Sequence, residues 1–224
     1  MRGTWVVIAA YNEGEAIGGV VSDLVDDYPN VVVVDDGSGD DTADAAAGAG
    51  AVVLRHVINR GQGAALQTGI TYALTRGAAY IVTFDADGQH QKSDLPALIG
   101  PLARGEVDIC LGSRFLEHAG SVPLARRLLL SLAVLFTRLT SGVRLTDAHN
   151  GLRAFSRRAA ARIDIRLDRM AHASELIDQI RQSGLPYREI PVHIRYTDYS
   201  LAKGQRGSAA FRVALDYLIG RVMR

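Results

Sequence analysis

Four consecutive valines, Val31–Val34, follow a Pro29-Asn30 turn and end in Asp35-Asp36. A run with no polar face fits a strand buried on both sides. Four further β-rich apolar runs lie in the first half: Thr4–Ala9, Ala51–Arg55, Ala79–Phe84 and Val107–Leu111. Between them, Glu15–Val25, Asp41–Ala47, Ala64–Thr75 and Asp94–Ala103 carry helical periodicity or composition. Strand and helix therefore alternate. That order predicts an α/β fold: a doubly wound, mostly parallel sheet, covered on both faces, with right-handed crossovers.

After Gly112 the alternation stops. Residues 121–141 read as a long basic amphipathic helix, Leu152–Phe155 as a strand, and Ala171–Gln182 as a helix closed by Ser183-Gly184. Tyr187–Arg195 reads as a strand. Tyr196–Gly207 is polar and rich in Gly, Lys and Arg, which predicts a mobile loop, and Ala209–Val222 reads as a final amphipathic helix. At 224 residues the chain fits one domain. Residues 1–115 form its first half, and residues 116–224 a C-terminal segment of amphipathic helices.

The formal net charge is +1, but it is unevenly spread. Residues 1–50 hold ten acids and one Arg, whereas residues 121–166 hold nine Arg and two Asp. The basic second half suits a phosphate or an anionic membrane surface. A near-neutral balance without a recognised binding module argues against nucleic acid. The single cysteine, Cys110, excludes a disulfide framework and reads as a buried, inert thiol. The first strand begins almost at once, so no signal peptide is expected. The longest apolar run, Leu128–Phe136, is shorter than the roughly 20 residues that span a bilayer. The expected location is the cytoplasm, with any membrane contact peripheral.

Polar motifs close four successive strands or open the helices after them. They are Ala10-Tyr11-Asn12-Glu13, Asp35-Asp36-Gly37-Ser38, the glycine loop Asn59–Gly63, and Asp85-Ala86-Asp87-Gly88-Gln89-His90. In a doubly wound sheet such ends converge on one crevice. Tyr11 can stack on a base, and aspartates can accept from base N–H or ribose hydroxyls. Asp85 and Asp87 point the same way at a strand end, and two adjacent carboxylates repel unless a cation lies between them. With the amide oxygen of Gln89, they suit Mg²⁺ or Mn²⁺ better than Zn²⁺. The plain alternative is an acidic turn leading to a helix capped by Ser93, with Pro96 in its first turn.

These pieces resemble family 2 glycosyltransferases of the GT-A type. The resemblance rests on AYNE at 10–13, DDGS at 35–38, NRGQG at 59–63, DADGQH at 85–90, GSRF at 112–115 and TDAHNGLRAF at 146–155. It extends to the branch of dolichyl- and polyprenyl-phosphate mannosyl- and glucosyltransferases. It implies a GT-A Rossmann-like fold and inverting sugar transfer from a nucleotide diphosphate sugar. By that resemblance Ala10, Tyr11, Asn12 and Glu13 hold base and ribose, and Asp35 or Asp36 contacts either. Arg60, Gly61, Asp85 and Ala86 complete the nucleotide site. Asp85, Asp87 and Gln89 bind the metal, and Arg114 faces a donor or acceptor phosphate. The family's glycine loop often carries Lys where this chain has Gln62.

The expected mechanism follows from charge. Departure of the nucleoside diphosphate builds negative charge, which a cation held by Asp85 and Asp87 neutralises. A phosphate acceptor needs only cations to place it, and Arg126, Arg127 and Lys203 are assigned to that task. A hydroxyl acceptor must lose a proton, with Asp147 as the candidate base and His149 near it. Glu175 is a weaker acceptor-side candidate and reads rather as a solvated face or first-turn charge. Two other classes remain open: a nucleotidyltransferase, and a non-catalytic nucleotide-sugar binder. Absence of a basic glycine-rich loop after the first strand disfavours the former. The intact Asp85 and Asp87 disfavour the latter.

Overall fold

The computed structural model describes residues 3–116, 145–147, 150–166 and 172–195. The predicted helix at 121–141, the loop at 196–207 and the helix at 209–222 lie outside these residues, as do Arg126, Arg127, His149 and Lys203.

In the first half, strand and helix alternate as the periodicity predicts. The elements are β1 (Thr4–Ala10), α1 (Gly14–Val25), β2 (Val31–Asp35), α2 (Thr42–Gly48), β3 (Val52–Arg55), α3 (Gln62–Thr75), β4 (Tyr80–Asp85), α4 (Leu95–Ala103) and β5 (Ile109–Ser113). Then follow β6 (Arg153–Ser156), α5 (Arg157–Ala160), α6 (His172–Ser183) and β7 (Tyr187–Pro191). The seven strands form one sheet in the order β3-β2-β1-β4-β6-β5-β7. It is parallel except for β6, which runs antiparallel to both β4 and β5. The α/β class stands, with this reversal added.

The chain starts at the middle of the sheet, builds outward to β3, then returns to lay β4 against the other side of β1. The strand order thus reverses between β1 and β4, and ligands bind at such a switch point, beyond the carboxyl ends of the strands. Ala9 pairs with Asp85 there, so the turns after the two strands are neighbours.

Two apolar layers hold the sheet. Val6, Ile8, Val33, Val82 and Phe84 pack with Ile17, Val21, Leu95, Leu98 and Ile99 on one face. Trp5, Val7, Val32, Ile81 and Phe155 pack with Leu66, Ile70, Leu176 and Ile177 on the other. Alternate residues of one strand enter opposite layers, which is why β2 needs valine at each of the positions before Asp35. Each such side chain contributes about 1.5–3 kcal/mol on burial. A charge placed among them without a partner costs more than one of them returns.

Some boundaries differ from the sequence reading. The last strand ends at Pro191 rather than Arg195; proline has no N–H for the ladder. Beyond it, Ile194 makes an isolated antiparallel bridge with His90. Helix α4 is preceded by a 3₁₀ turn, Lys92–Asp94, and its N-cap is Asp94 rather than Ser93. The Asp94 carboxylate does not cap the helix; it accepts from the His193 N–H at 2.7 Å. Cys110 is buried, as expected.

Candidate functional site

The turns after β1 and β2 lock each other. Asn12 sits in the left-handed region at φ 53°, a conformation Asn tolerates better than most residues. Its N–H donates to Ser38 Oγ at 2.9 Å, and its Oδ1 accepts the Gly39 N–H at 2.9 Å. The Glu13 N–H donates to Thr42 Oγ1 at 2.8 Å, and the Asp36 N–H to the Ala10 carbonyl at 2.8 Å. These bonds use the backbone of AYNE and the Asn12 side chain, and leave Tyr11 49% exposed, available to stack.

Asp35 and Asp36 divide their work. Asp36 Oδ2 accepts the Gly61 N–H at 2.6 Å, and its Oδ1 accepts the Arg60 N–H at 3.0 Å. His56 Nδ1 lies 2.6 Å from the same Oδ1, and its Nε2 lies 3.0 Å from Thr68 Oγ1. The second aspartate is therefore the post that holds the NRGQG loop. Gly37 makes the approach possible: its φ is 75°, and a Cβ there would lie 2.8 Å from the Ile58 carbonyl carbon. Asp35 is fully buried, and its Oδ1 accepts the Ser38 N–H at 3.0 Å. Arg55 Nε approaches Oδ2 to 3.3 Å, but that oxygen takes no hydrogen bond.

At the end of β4, Asp85 Oδ2 lies 2.8 Å from His90 Nε2, and Oδ1 accepts Gln62 Nε2 at 3.3 Å. Gln62 thus meets Asp85 as a neutral donor. His90 is buried edge-on against Phe84, ring centroids 5.3 Å apart. Burial alone would raise the Asp85 carboxyl. His90, by its field and its hydrogen bond, then Arg153 and His172, outweigh it and hold the group below the usual aspartate value. Asp87 moves the other way: burial, then the Asp85 charge, push it up, against the Gln89 N–H that donates to Oδ1 at 3.0 Å.

Among the described residues no group of three or more His, Cys, Asp or Glu is arranged to cage a metal ion. Two carboxylates fit Mg²⁺ or Mn²⁺, which commonly complete their shells with phosphate oxygens and water. Gln89 is tied to this turn by its backbone, its N–H donating to Asp87 and its carbonyl accepting the Arg195 N–H at 2.9 Å.

GSRF and the TDAHNG segment meet across the end of β5. Arg114 Nε donates to Asp147 Oδ2 at 2.6 Å and the Arg114 N–H to the same oxygen at 3.2 Å, both side chains buried. Glu189 on β7 fixes the segment by accepting the Thr146 N–H at 2.8 Å and the Asp147 N–H at 3.2 Å. Glu175 corrects the sequence reading: it is 1% exposed, not solvated. It accepts the Arg166 N–H at 3.1 Å. His172, Ser174 and Glu175, at the polar start of α6, are all buried.

Sequence reasoning passed over His56, His90 and Arg153. The signal for Arg153 was a charge inside an apolar strand, between Leu152 and Ala154-Phe155. His56 gave none, since its aspartate lies 20 residues away, whereas His90 stands in DADGQH, five residues from Asp85.

Fold and site define an α/β domain whose polar motifs gather at the carboxyl ends of the strands, around the switch point between β1 and β4. The chain belongs to glycosyl transferase family 2, whose sequence model matches residues 5–164, and it is a glycosyltransferase. It is 31% identical over 231 residues to a UDP-N-acetylglucosamine–dolichyl-phosphate N-acetylglucosaminyltransferase of Methanococcus voltae, covering 93% of this chain and 92% of that one. It is 31% identical over 225 residues to a polyprenol monophosphomannose synthase of Mycolicibacterium smegmatis, covering 95% and 84%. A solved structure of glucosyl-3-phosphoglycerate synthase from Mycobacterium tuberculosis, in complex with Mn²⁺ and UDP-glucose, superposes with a TM-score of 0.70 at 23% identity. It covers 98% of this chain and 79% of that one, a likeness of fold.

Proposed function

We propose that the enzyme transfers a sugar, with inversion, from a nucleotide diphosphate sugar to a polyprenyl phosphate and depends on a divalent cation. The observation that carries this reading is the pair Asp85 and Asp87 at the end of β4, set beside the end of β1 at the switch point by the Ala9–Asp85 pairing. The polyprenyl- and dolichyl-phosphate names of its relatives support the acceptor class.

In this reading residues 1–115 hold the donor and residues 116–224 the acceptor, within one domain. Tyr11 stacks on the base, and Ala10, Asn12 and Glu13 frame the ribose. Asp35, with its unbonded Oδ2, accepts from base or ribose. Asp36 holds Arg60 and Gly61 beside the diphosphate. Asp85, Asp87 and Gln89 are the ligands of Mg²⁺ or Mn²⁺, which supplies Lewis-acid neutralisation of the leaving diphosphate when bound. Arg114, Arg126, Arg127 and Lys203 place the phosphates.

A phosphate monoester is already anionic near neutral pH and needs no base. Asp147 fits that chemistry, since its carboxylate is the counter-charge of buried Arg114. The acceptor is embedded in a bilayer, so the enzyme works at the membrane surface. Among the described residues no helix is long and apolar enough to cross it.

Substitution of Asp87 by Ala tests the reading. Transfer measured with Mn²⁺ and a panel of UDP-, GDP- and dTDP-sugars should fall to background. Undiminished turnover would reject the metal role. Flotation with anionic liposomes carrying polyprenyl phosphate should bring the protein to the top fraction.

A further inference from the structure

Arg153 is a charge in the middle of the sheet. It opens β6 and pairs with Thr83 on β4 and Leu111 on β5, and it is 4% exposed. Its neighbours on the same face are the apolar residues Ile81, Ile109 and Phe155. The register puts it on the face that carries Asp85, two residues beyond Thr83. Asp85 and Asp147 are both within electrostatic range and favour its charge, while burial disfavours it. It bonds to neither. The Asp85 oxygens take His90 and Gln62, and Asp147 Oδ2 takes Arg114. Among the described residues no protein acceptor meets the five N–H donors of Arg153. Its guanidinium nitrogens are not among the fully buried side-chain atoms that lack a partner, so they keep a little access to solvent, and a cation so nearly withdrawn from water gains most from an anionic partner.

We propose that Arg153 binds a phosphoryl group of the substrate, its planar fork meeting two oxygens from below the crevice. This rests on the transferase reading above and deepens it by adding a cation from the sheet itself. A phosphoryl anion has the charge, the oxygen spacing and the hydrogen-bond capacity that this fork lacks in the protein. Two groups have that chemistry: the diphosphate of the donor and the monoester of the acceptor. The cation field is assembled without a lysine in the glycine loop, where Gln62 offers only a neutral amide.

The test is calorimetric titration of the full chain and its Arg153→Met and Arg153→Lys variants with two probes, pyrophosphate and farnesyl phosphate, at low and at raised Mg²⁺. Arg153→Met should weaken one probe by about ten- to a hundredfold, and Arg153→Lys by less, because charge remains while the fork is lost. Loss confined to pyrophosphate assigns the donor side; loss confined to farnesyl phosphate assigns the acceptor side. If Arg153→Met does not fold, Arg153→Lys decides alone through its probe-dependent rise in melting temperature. Wild-type affinity for both probes in a folded variant, even with lowered thermal stability, means a structural cation only and overturns the proposal. So does a wild-type protein that binds neither probe. Sugar transfer that persists unchanged in both variants removes Arg153 and leaves the transferase reading intact. Arg153-dependent phosphoryl binding without transfer from any nucleotide sugar does the reverse.

Discussion

A Cβ at position 151 would lie 2.3 Å from both carboxylate oxygens of Asp85. The antiparallel register that pairs Thr83 with Arg153 carries the Asp85 side chain directly over Gly151. Thr83 Oγ1 donates to the Gly151 carbonyl at 2.7 Å, which holds the backbone there. Even alanine would displace the carboxylate. Gly151→Ala should therefore cost at least about a hundredfold in kcat/KM, the scale of a 1 Å misplacement at a reacting centre. Far-ultraviolet circular dichroism should stay native. Activity within a few-fold of wild type would show that Asp85 need not sit where it does.

His56→Ala should loosen the glycine loop rather than the sheet. It removes the ring that bridges Asp36 and Thr68, while the Arg60 and Gly61 N–H groups keep their acceptor. A loss of about 1–2 kcal/mol is expected, or a few degrees in melting temperature. The donor KM should rise several-fold with kcat little changed. A fall in kcat at constant KM would put His56 in the chemistry instead.

Asp147→Asn separates two acceptors. The amide leaves the Arg114 guanidinium buried without its counter-charge, a cost of roughly 3–5 kcal/mol. A melting temperature lower by on the order of 10 °C follows for a chain this size. With a polyprenyl-phosphate acceptor, kcat should survive within about tenfold below the transition. If the acceptor is a hydroxyl and Asp147 its base, kcat should drop by about 10²–10⁴.

Cys110 supplies a pH prediction. Burial pushes its thiol up to about 11, against 9.0 for the free group. An acid whose folded pKa is raised keeps its proton in the fold while the unfolded chain ionises. Stability should therefore decline as pH rises from about 9 towards about 11. At pH 8 about one thiol in a thousand is thiolate, so native protein should resist iodoacetamide and label only on unfolding. Rapid labelling of the native chain would contradict the burial.

The first half of the fold was legible because its signals are local. Val31–Val34 can hardly be anything but a doubly buried strand, and Gly37 and Gly61 mark turns by their own backbone freedom. AYNE, DDGS and DADGQH were legible as strand-end groups for the same reason. The reversal of β6 was not, because four residues, Arg153–Ser156, say nothing about which strands they join. Glu175 read as solvated because its place in the first turn of α6 does not reveal that this end is buried.

Asp36 and Asp35 show the same limit within one motif. Adjacent and chemically identical, they differ because strand alternation turns one towards the glycine loop and the other towards Ser38 and Arg55. The partners lie up to 25 residues away.

Sequence alone determined the alternating α/β order, the polar groups at the strand ends and the family they resemble. Each depends on residues within a few positions of one another. Tertiary structure alone decided which distant groups meet: His56 with Asp36, Arg114 with Asp147, and Arg153 with the fields of Asp85 and Asp147. The reason is that electrostatic energy depends on distance and burial in three dimensions, and a linear order of residues specifies neither.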